Sequence, residues 1–264
     1  MARNPLPNNS CPAWRLSIII WASDTAVRIE SFSMGLKHQL LIWLLRHRRR
    51  TFLKLKGMQD LAAGADDRFL DLHAEVLADN RGGPTMRERY NLYVLAKGTA
   101  HLPGALAEAG VYRGGSAKIL CAVKGDRPLY LFDTFEGMPK VNAATDGSFA
   151  EGDFADTRYE EVVAYLSAYP NVHFYKGFFP DSARGREPEK EKFRFVHLDL
   201  DIYESTYQAL EFFYSRLVSG GMIVSHDYSC RNAPGVKKAF DDFFKQRKET
   251  VIPLWDSQCV VTKI

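Results

Sequence analysis

Two acidic runs carry residue types that can do chemistry, His197-Leu-Asp199-Leu-Asp201 and Ser225-His226-Asp227, and each sits at the end of an apolar stretch. Carboxylates at two neighbouring strand ends can converge on one hard divalent cation, which prefers oxygen ligands. Asp199 and Asp227 are the obvious pair. In an extended chain Asp199 and Asp201 lie on the same side, so both can face one cleft. The bland alternative is that one of these carboxylates caps the helix after Tyr203, or pairs with Arg231 or Lys237. Acidic residues seldom end apolar strands without a partner, which favours the metal reading.

Three earlier strand ends carry a second kind of signal. Glu108-Ala-Gly110-Val-Tyr-Arg-Gly114-Gly115-Ser116 runs from a strand into a helix. Glycines there let backbone approach a ligand, and the helix N-terminus offers free N–H groups. The spacing is not the GxGxxG of dinucleotide enzymes, and a tight turn without a ligand is the competing reading. Next come Asp133-Thr134-Phe135-Glu136, where an acidic group can accept from ribose hydroxyls and an aromatic ring can stack on a base. Then comes Lys176-Gly177-Phe178, a glycine beside which a flat ring can lie. Each signal is weak alone; together they point to an adenosine-containing ligand.

The elements that must position these residues alternate. Ala105–Val111, Leu129–Thr134, Val172–Tyr175, Phe195–Leu200 and Met222–Ser225 read as buried strands, and the spacing predicts helices over Ser116–Val123, Tyr159–Tyr169, Tyr203–Leu217 and Val236–Gln246. Such alternation implies an α/β fold, a mostly parallel sheet with helices on both faces. Thr250–Leu254 and Cys259–Ile264, joined by Asp256-Ser257-Gln258, read as a C-terminal hairpin that adds an antiparallel strand. Upstream, Thr85-Met-Arg-Glu88 is a capping box that starts a helix. Asn142–Arg158 is a long loop beside the expected site, and a mobile lid is the expectation for it.

Composition narrows the class. The chain has 264 residues, 46% hydrophobic, with a net charge of +3 that hides two unlike parts. Residues 1–56 hold ten Lys/Arg against two acidic residues, whereas the remainder carries 25 basic and 30 acidic side chains. A charge run alone is a weak signal, so the basic stretch gives no case for nucleic acid. Its reading as a membrane-surface helix is secondary to a solvated arm packing on the body or on a second subunit. Cys11, Cys121, Cys230 and Cys259 lack zinc or disulfide spacing. No apolar run is long enough to span a bilayer, and Leu16–Ala22 is only a faint signal-peptide pattern. The expected organisation is a poorly ordered leader (1–33), a basic helical arm (34–83) and a catalytic domain (84–264), in a cytoplasmic homo-oligomer. Met34 is an alternative start.

The blocks from Thr85-Met-Arg-Glu-Arg-Tyr through Glu108-Ala-Gly-Val-Tyr-Arg-Gly-Gly-Ser-Ala, Phe132-Asp-Thr-Phe-Glu-Gly-Met-Pro, Lys176-Gly-Phe-Phe-Pro-Asp and His197-Leu-Asp-Leu-Asp-Ile-Tyr-Glu-Ser-Thr to Gly220-Gly-Met-Ile-Val-Ser-His-Asp-Tyr resemble the macrocin O-methyltransferase family. These are class I, S-adenosylmethionine-dependent, metal-dependent sugar O-methyltransferases with a Rossmann-like sheet. The resemblance covers residues 84–264 and not 1–56. It implies that Glu108, Gly110, Gly114 and Ser116 hold the methionine end of the cofactor. Asp133, Thr134, Phe135 and Glu136, with Gly177, Phe178 and Asp199, would line the ribose and adenine side. Asp199 and Asp227 would bind Mg2+ or another divalent cation, with Asp201 as general base. The acceptor it implies is a small-molecule hydroxyl, a sugar, and not a nucleic acid. The chain departs from the family at His226, where a second carboxylate is common. Imidazole is softer, so His226 is a candidate metal ligand, a candidate base, or a neutral structural histidine.

Overall fold

The computed structural model describes residues 19–22, 25–28, 34–48, 52 and 67–264. The chain divides into two compact units, Met1–Ala74 and Glu75–Ile264. In the first, β1 (Ile19–Ala22) and β2 (Thr25–Arg28) pair antiparallel, and α1 spans Met34–His47. Leu44 and Leu45 of α1 are buried, while Leu36 and Trp43 are exposed. Most of the expected leader, and residues 49–51 and 53–66 of the expected arm, lie outside the described residues. Helix α2 (Asp67–Ala78) crosses the boundary between the units, upstream of the 83/84 division expected from sequence.

The second unit continues with α3 (Met86–Gly98), β3 (Ala105–Ala109), α4 (Gly115–Val123), β4 (Leu129–Asp133), α5 (Tyr159–Leu166) and β5 (Val172–Lys176). After these come β6 (Phe193–Leu198), α6 (Tyr203–Tyr214), β7 (Leu217–Ser225), α7 (Pro234–Phe244), β8 (Ile252–Pro253) and β9 (Cys259–Thr262). The sheet order is β5-β4-β3-β6-β7-β9-β8. Neighbours from β5 to β7 are parallel, and β9 is antiparallel to both β7 and β8, as the hairpin pattern implied.

Side-chain alternation splits the strands between two helical layers. Ala105, Ala107, Ala109, Val196 and Leu198 share one core with Phe213 of α6 and Val236 and Phe240 of α7. The alternate positions Leu106, Glu108, Phe195 and His197 are equally buried and point to the opposite face.

Several boundaries differ from expectation, and those of β6, α6 and β7 have a local reason. The central strand starts at Phe193 and takes in Arg194, only 1% exposed. Its guanidinium donates to the carbonyls of Thr99 and Lys124, just past the C-terminal ends of α3 and α4, so the charge satisfies acceptors those helices leave open. The next strand starts at Leu217, not Met222, and α6 stops at Tyr214. Gly220 N–H donates to Lys263 O and Lys263 N–H to Gly221 O, which holds the glycines in an irregular stretch of strand.

Candidate active site

The parallel ladder runs one residue past the strands. Gly177 N–H donates to Asp133 O, Gly110 N–H to Phe132 O, Asp199 N–H to Ala109 O and His226 N–H to Leu198 O, at 2.8–2.9 Å. Gly177, Gly110, Asp199 and His226 are thereby fixed to the neighbouring strand, beyond the carboxyl ends of the strands along one sheet edge. Backbone strain collects there too. Tyr112, Phe135, Asp201 and Asp227, which follow β3, β4, β6 and β7, all have positive φ without being glycine. Such conformations cost on the order of 1–3 kcal/mol each and cluster at functional sites.

At the β6 and β7 ends, Asp199, His226 and Asp227 each offer one ligand atom, all within 4.8 Å of one another. His226 Nδ1 lies 3.1 Å from Asp199 Oδ1 and 2.8 Å from Asp227 Oδ2, yet this buried nitrogen makes no hydrogen bond. Two carboxylate oxygens and one orphaned nitrogen fit a divalent cation. Burial works against a charged imidazole here, but the two carboxylates outweigh it and raise His226 well above its ordinary value. Asp201 stands beside them. Burial first, then the negative charges of Asp199 and Asp227, push its carboxyl well above the usual range. Asp199, although buried, is held low by His226.

At the β3 end, Glu108 is fully buried and faces its parallel neighbour across the ladder, with Oε1 2.7 Å from His197 Nδ1. Burial dominates and raises the carboxyl, with His197 and nearby Ser116 acting in the opposite direction. Oε2 has no partner, an open acceptor suited to a cationic ligand group. The glycines here have structural causes. A Cβ on Gly110, at φ +86°, would overlap the Asp199 carbonyl, and one on Gly114, at φ +80°, would press on Val162 of α5. They allow β3 to meet β6 and α4 to meet α5.

The β4 end is more self-contained than its sequence suggests. Asp133 Oδ2 accepts from Val111 and Tyr112 N–H and Oδ1 from Phe135 N–H, so the carboxylate already fastens the β3–α4 turn. A carboxylate has about four acceptor positions, which leaves about one for a hydroxyl. Thr134 Oγ1 donates to Gly137 O. Phe135 is buried edge-on against Tyr159, and Glu136 is exposed and paired with Lys176 at 2.8 Å. At the β5 end Gly177 and Phe178 are half-buried, while Phe179 stacks on Phe213 in the core. The 142–158 segment, expected to be a lid, is fastened at its middle: buried Asp146 accepts from Asn142 N–H and from Tyr203 N–H at the start of α6.

Three polar residues join the site without having been singled out. His197 partners Glu108. Glu88, expected only as a capping residue, reaches His226 Nε2 at 3.3 Å. Ser257, in the hairpin turn, donates through both N–H and Oγ to Glu88 Oε1 and accepts from Asp227 N–H. The polar Asp256-Ser257-Gln258 turn was the signal for the last contact, but nothing local to it indicates what it touches.

Comparison with known proteins agrees with this fold. Among solved structures, the calicheamicin methyltransferase CalS11 superposes with a TM-score of 0.61 at 17% identity, covering 97% of this chain and 99% of that one. The O-methyltransferase NovP gives 0.57 at 22%, covering 69% and 83%. At those identities the likeness is one of fold. Among curated proteins, the 8-demethyl-8-(2,3-dimethoxy-alpha-L-rhamnosyl)-tetracenomycin-C 4'-O-methyltransferase of Streptomyces olivaceus is 36% identical over 158 residues, 53% of this chain. The demethyldecarbamoylnovobiocin O-methyltransferase of Streptomyces niveus is 28% identical over 160 residues, 54% of this chain. The chain spans 59% of the length of each. The macrocin-O-methyltransferase (TylF) family model matches residues 90–262, the whole sheet and every strand end described above except the Glu88 contact, and the chain belongs to that family.

Proposed function

We propose that the protein transfers the methyl group of S-adenosylmethionine to a hydroxyl of a small-molecule acceptor, a sugar unit of a natural product. The observation that carries this reading is the convergence of Asp199, Asp201, His226 and Asp227 on the edge that also presents the open Glu108 oxygen. The tetracenomycin relative, named for methylating a rhamnosyl compound, supports the acceptor class.

In this reading the β3–α4 turn takes the methionine end of the cofactor, with Glu108 and Ser116 as polar contacts, and Phe178 borders the adenine side. Asp199, His226 and Asp227 would hold a divalent cation, which when bound supplies positive charge that acidifies a neighbouring hydroxyl. With one imidazole in the donor set, Mn2+ suits the site as well as Mg2+. Asp201 accepts the acceptor's proton. Burial opposes ionisation of its carboxyl and so makes it a stronger base than an exposed aspartate. The acceptor oxygen then forms its bond to the methyl carbon as the carbon–sulfur bond breaks, leaving S-adenosylhomocysteine.

The test is thermal unfolding with each ligand beside a methylation assay on rhamnosylated acceptors. S-Adenosylmethionine and S-adenosylhomocysteine should raise Tm, as any ligand selective for the folded state does. Asp199→Ala and Asp227→Ala should keep that shift and lose metal-stimulated methylation. Absence of stabilisation by either ligand would overturn the proposal.

A further inference from the structure

Glu88 is almost fully buried, 2% exposed, and its carboxylate serves three parts of the chain at once. Oε2 accepts from Thr85 N–H at 2.8 Å, closing the capping box of α3, and lies 3.3 Å from His226 Nε2. Oε1 accepts from Ser257 Oγ at 2.6 Å and Ser257 N–H at 3.1 Å. Three hydrogen bonds and the nearby imidazole thus surround the carboxylate. A helix cap needs only the Thr85 contact; nothing in capping requires the other three.

The imidazole has a defined polarity as a result. Carboxylates face both ring nitrogens, Glu88 at Nε2 and Asp199 with Asp227 at Nδ1, so a cation held by the two aspartates would displace the hydrogen from Nδ1 and leave the one on Nε2 facing Glu88. Nδ1 is also the buried nitrogen without a hydrogen bond, and it faces Asp199 and Asp227. Metal-bound histidines typically donate their other ring N–H to a carboxylate, which sets the tautomer and the ring orientation.

We infer that Glu88 is a positioning residue for the metal centre: it holds His226 as the Nε2–H tautomer, so that Nδ1 serves as the nitrogen ligand of a divalent cation alongside Asp199 and Asp227. The inference rests on the metal site of the proposed function. It assigns to the α3 N-terminus, outside the sheet, control over a ligand at the end of β7. A carboxylate ligand needs no tautomer fixed, whereas histidine does.

The full-length protein, titrated with Mn2+ alone, separates the possibilities. Paramagnetic resonance gives the Mn2+ affinity, and electron spin-echo modulation reports whether a histidine nitrogen is bound. Wild type should show nitrogen coupling. Glu88→Gln is isosteric, but whichever way its amide turns, the NH2 group faces donors in place of an acceptor. It should weaken Mn2+ binding by about 10- to 100-fold, the usual cost of losing such a partner, and diminish the nitrogen coupling. Glu88→Ala should do the same. Thr85→Ala removes the cap and leaves the imidazole contact, so it should lower Tm while keeping affinity and coupling. Wild-type nitrogen coupling and affinity in Glu88→Gln would overturn the role of Glu88. Mn2+ binding that survives Asp199→Ala and Asp227→Ala unchanged would instead overturn the metal-site reading, and the inference with it.

Discussion

Asp201 and Asp227 hold φ of +63° and +61°, a region that Asn and Asp tolerate better than other non-glycine residues because their short side chains bond locally. Residue type at these positions is therefore constrained by backbone as well as by chemistry, and a substitution must separate the two. Asp201→Asn keeps the conformation and removes the proton acceptor. It should leave S-adenosylmethionine-induced stabilisation intact and cut methyl transfer by about 10²- to 10⁴-fold, the range for loss of a general base. Methylation at the wild-type rate in this variant would remove Asp201 from the mechanism. The acids at the β6 and β7 ends were legible in the sequence because each is a charge following an apolar run. The role of Asp133 was less so. Its three backbone donors come partly from residues 111 and 112, brought beside it by the parallel pairing of β3 and β4.

The elements around the site are tied together by polar side chains that reach beyond their own segment. Thr85-Met-Arg-Glu88 announces a helix start, and the capping box is formed as its spacing implied. The contact from Glu88 to Ser257, 169 residues away, has no local signature, because it depends on the C-terminal hairpin folding back over the α3 N-terminus. Asp146 is a parallel case. Helix α6 has no capping side chain of its own, and the carboxylate from the 142–158 loop takes the place by accepting from Tyr203 N–H at 2.8 Å. Next to it, Gly147 lies so close to the Asn232 carbonyl that no side chain fits. Asp146→Ala removes the cap and the loop's own fastening together. The expected cost is about 1–2 kcal/mol, read as a fall of several degrees in Tm, with earlier proteolytic cleavage within 142–158 than in wild type. Unchanged Tm and cleavage would mean that the loop is held by other contacts.

Across the whole molecule the sheet sorts charge by position. The strand interiors bury mainly apolar side chains on both faces, which is why the strands could be read from alternating apolar runs, and the acidic residues of the site collect at one edge while Arg194 enters β6 from the other end. That edge carries Glu88, Glu108, Asp133, Asp199, Asp201 and Asp227 with His226 among them, a field suited to cationic ligands. Its pH dependence follows from the directions of the shifts. Asp201 is raised by burial and then by Asp199 and Asp227; the stability its protonated form contributes is full below the ordinary carboxyl value and is lost as pH rises through the raised one. His226 has the same sign: burial opposes its charge, the two aspartates outweigh burial, and its contribution is lost as pH climbs through a value well above its ordinary one, about 6.5. Glu88 has the opposite sign. Burial raises it, but His226, Ser257 and Thr85 together hold it well below the carboxylate range, so its contribution is lost only in strong acid and does not shape the neutral region. Without metal, Tm should therefore fall as pH rises beyond the ordinary imidazole value of about 6.5. A bound cation needs these ligands deprotonated, so its affinity grows over the same window. Thermal unfolding in EDTA and in Mn2+ should give curves that diverge with rising pH, and the divergence should vanish in Asp227→Ala. Parallel curves would show that the cation does not bind through these groups, and would return the strained strand ends at residues 201 and 227 to a purely structural explanation.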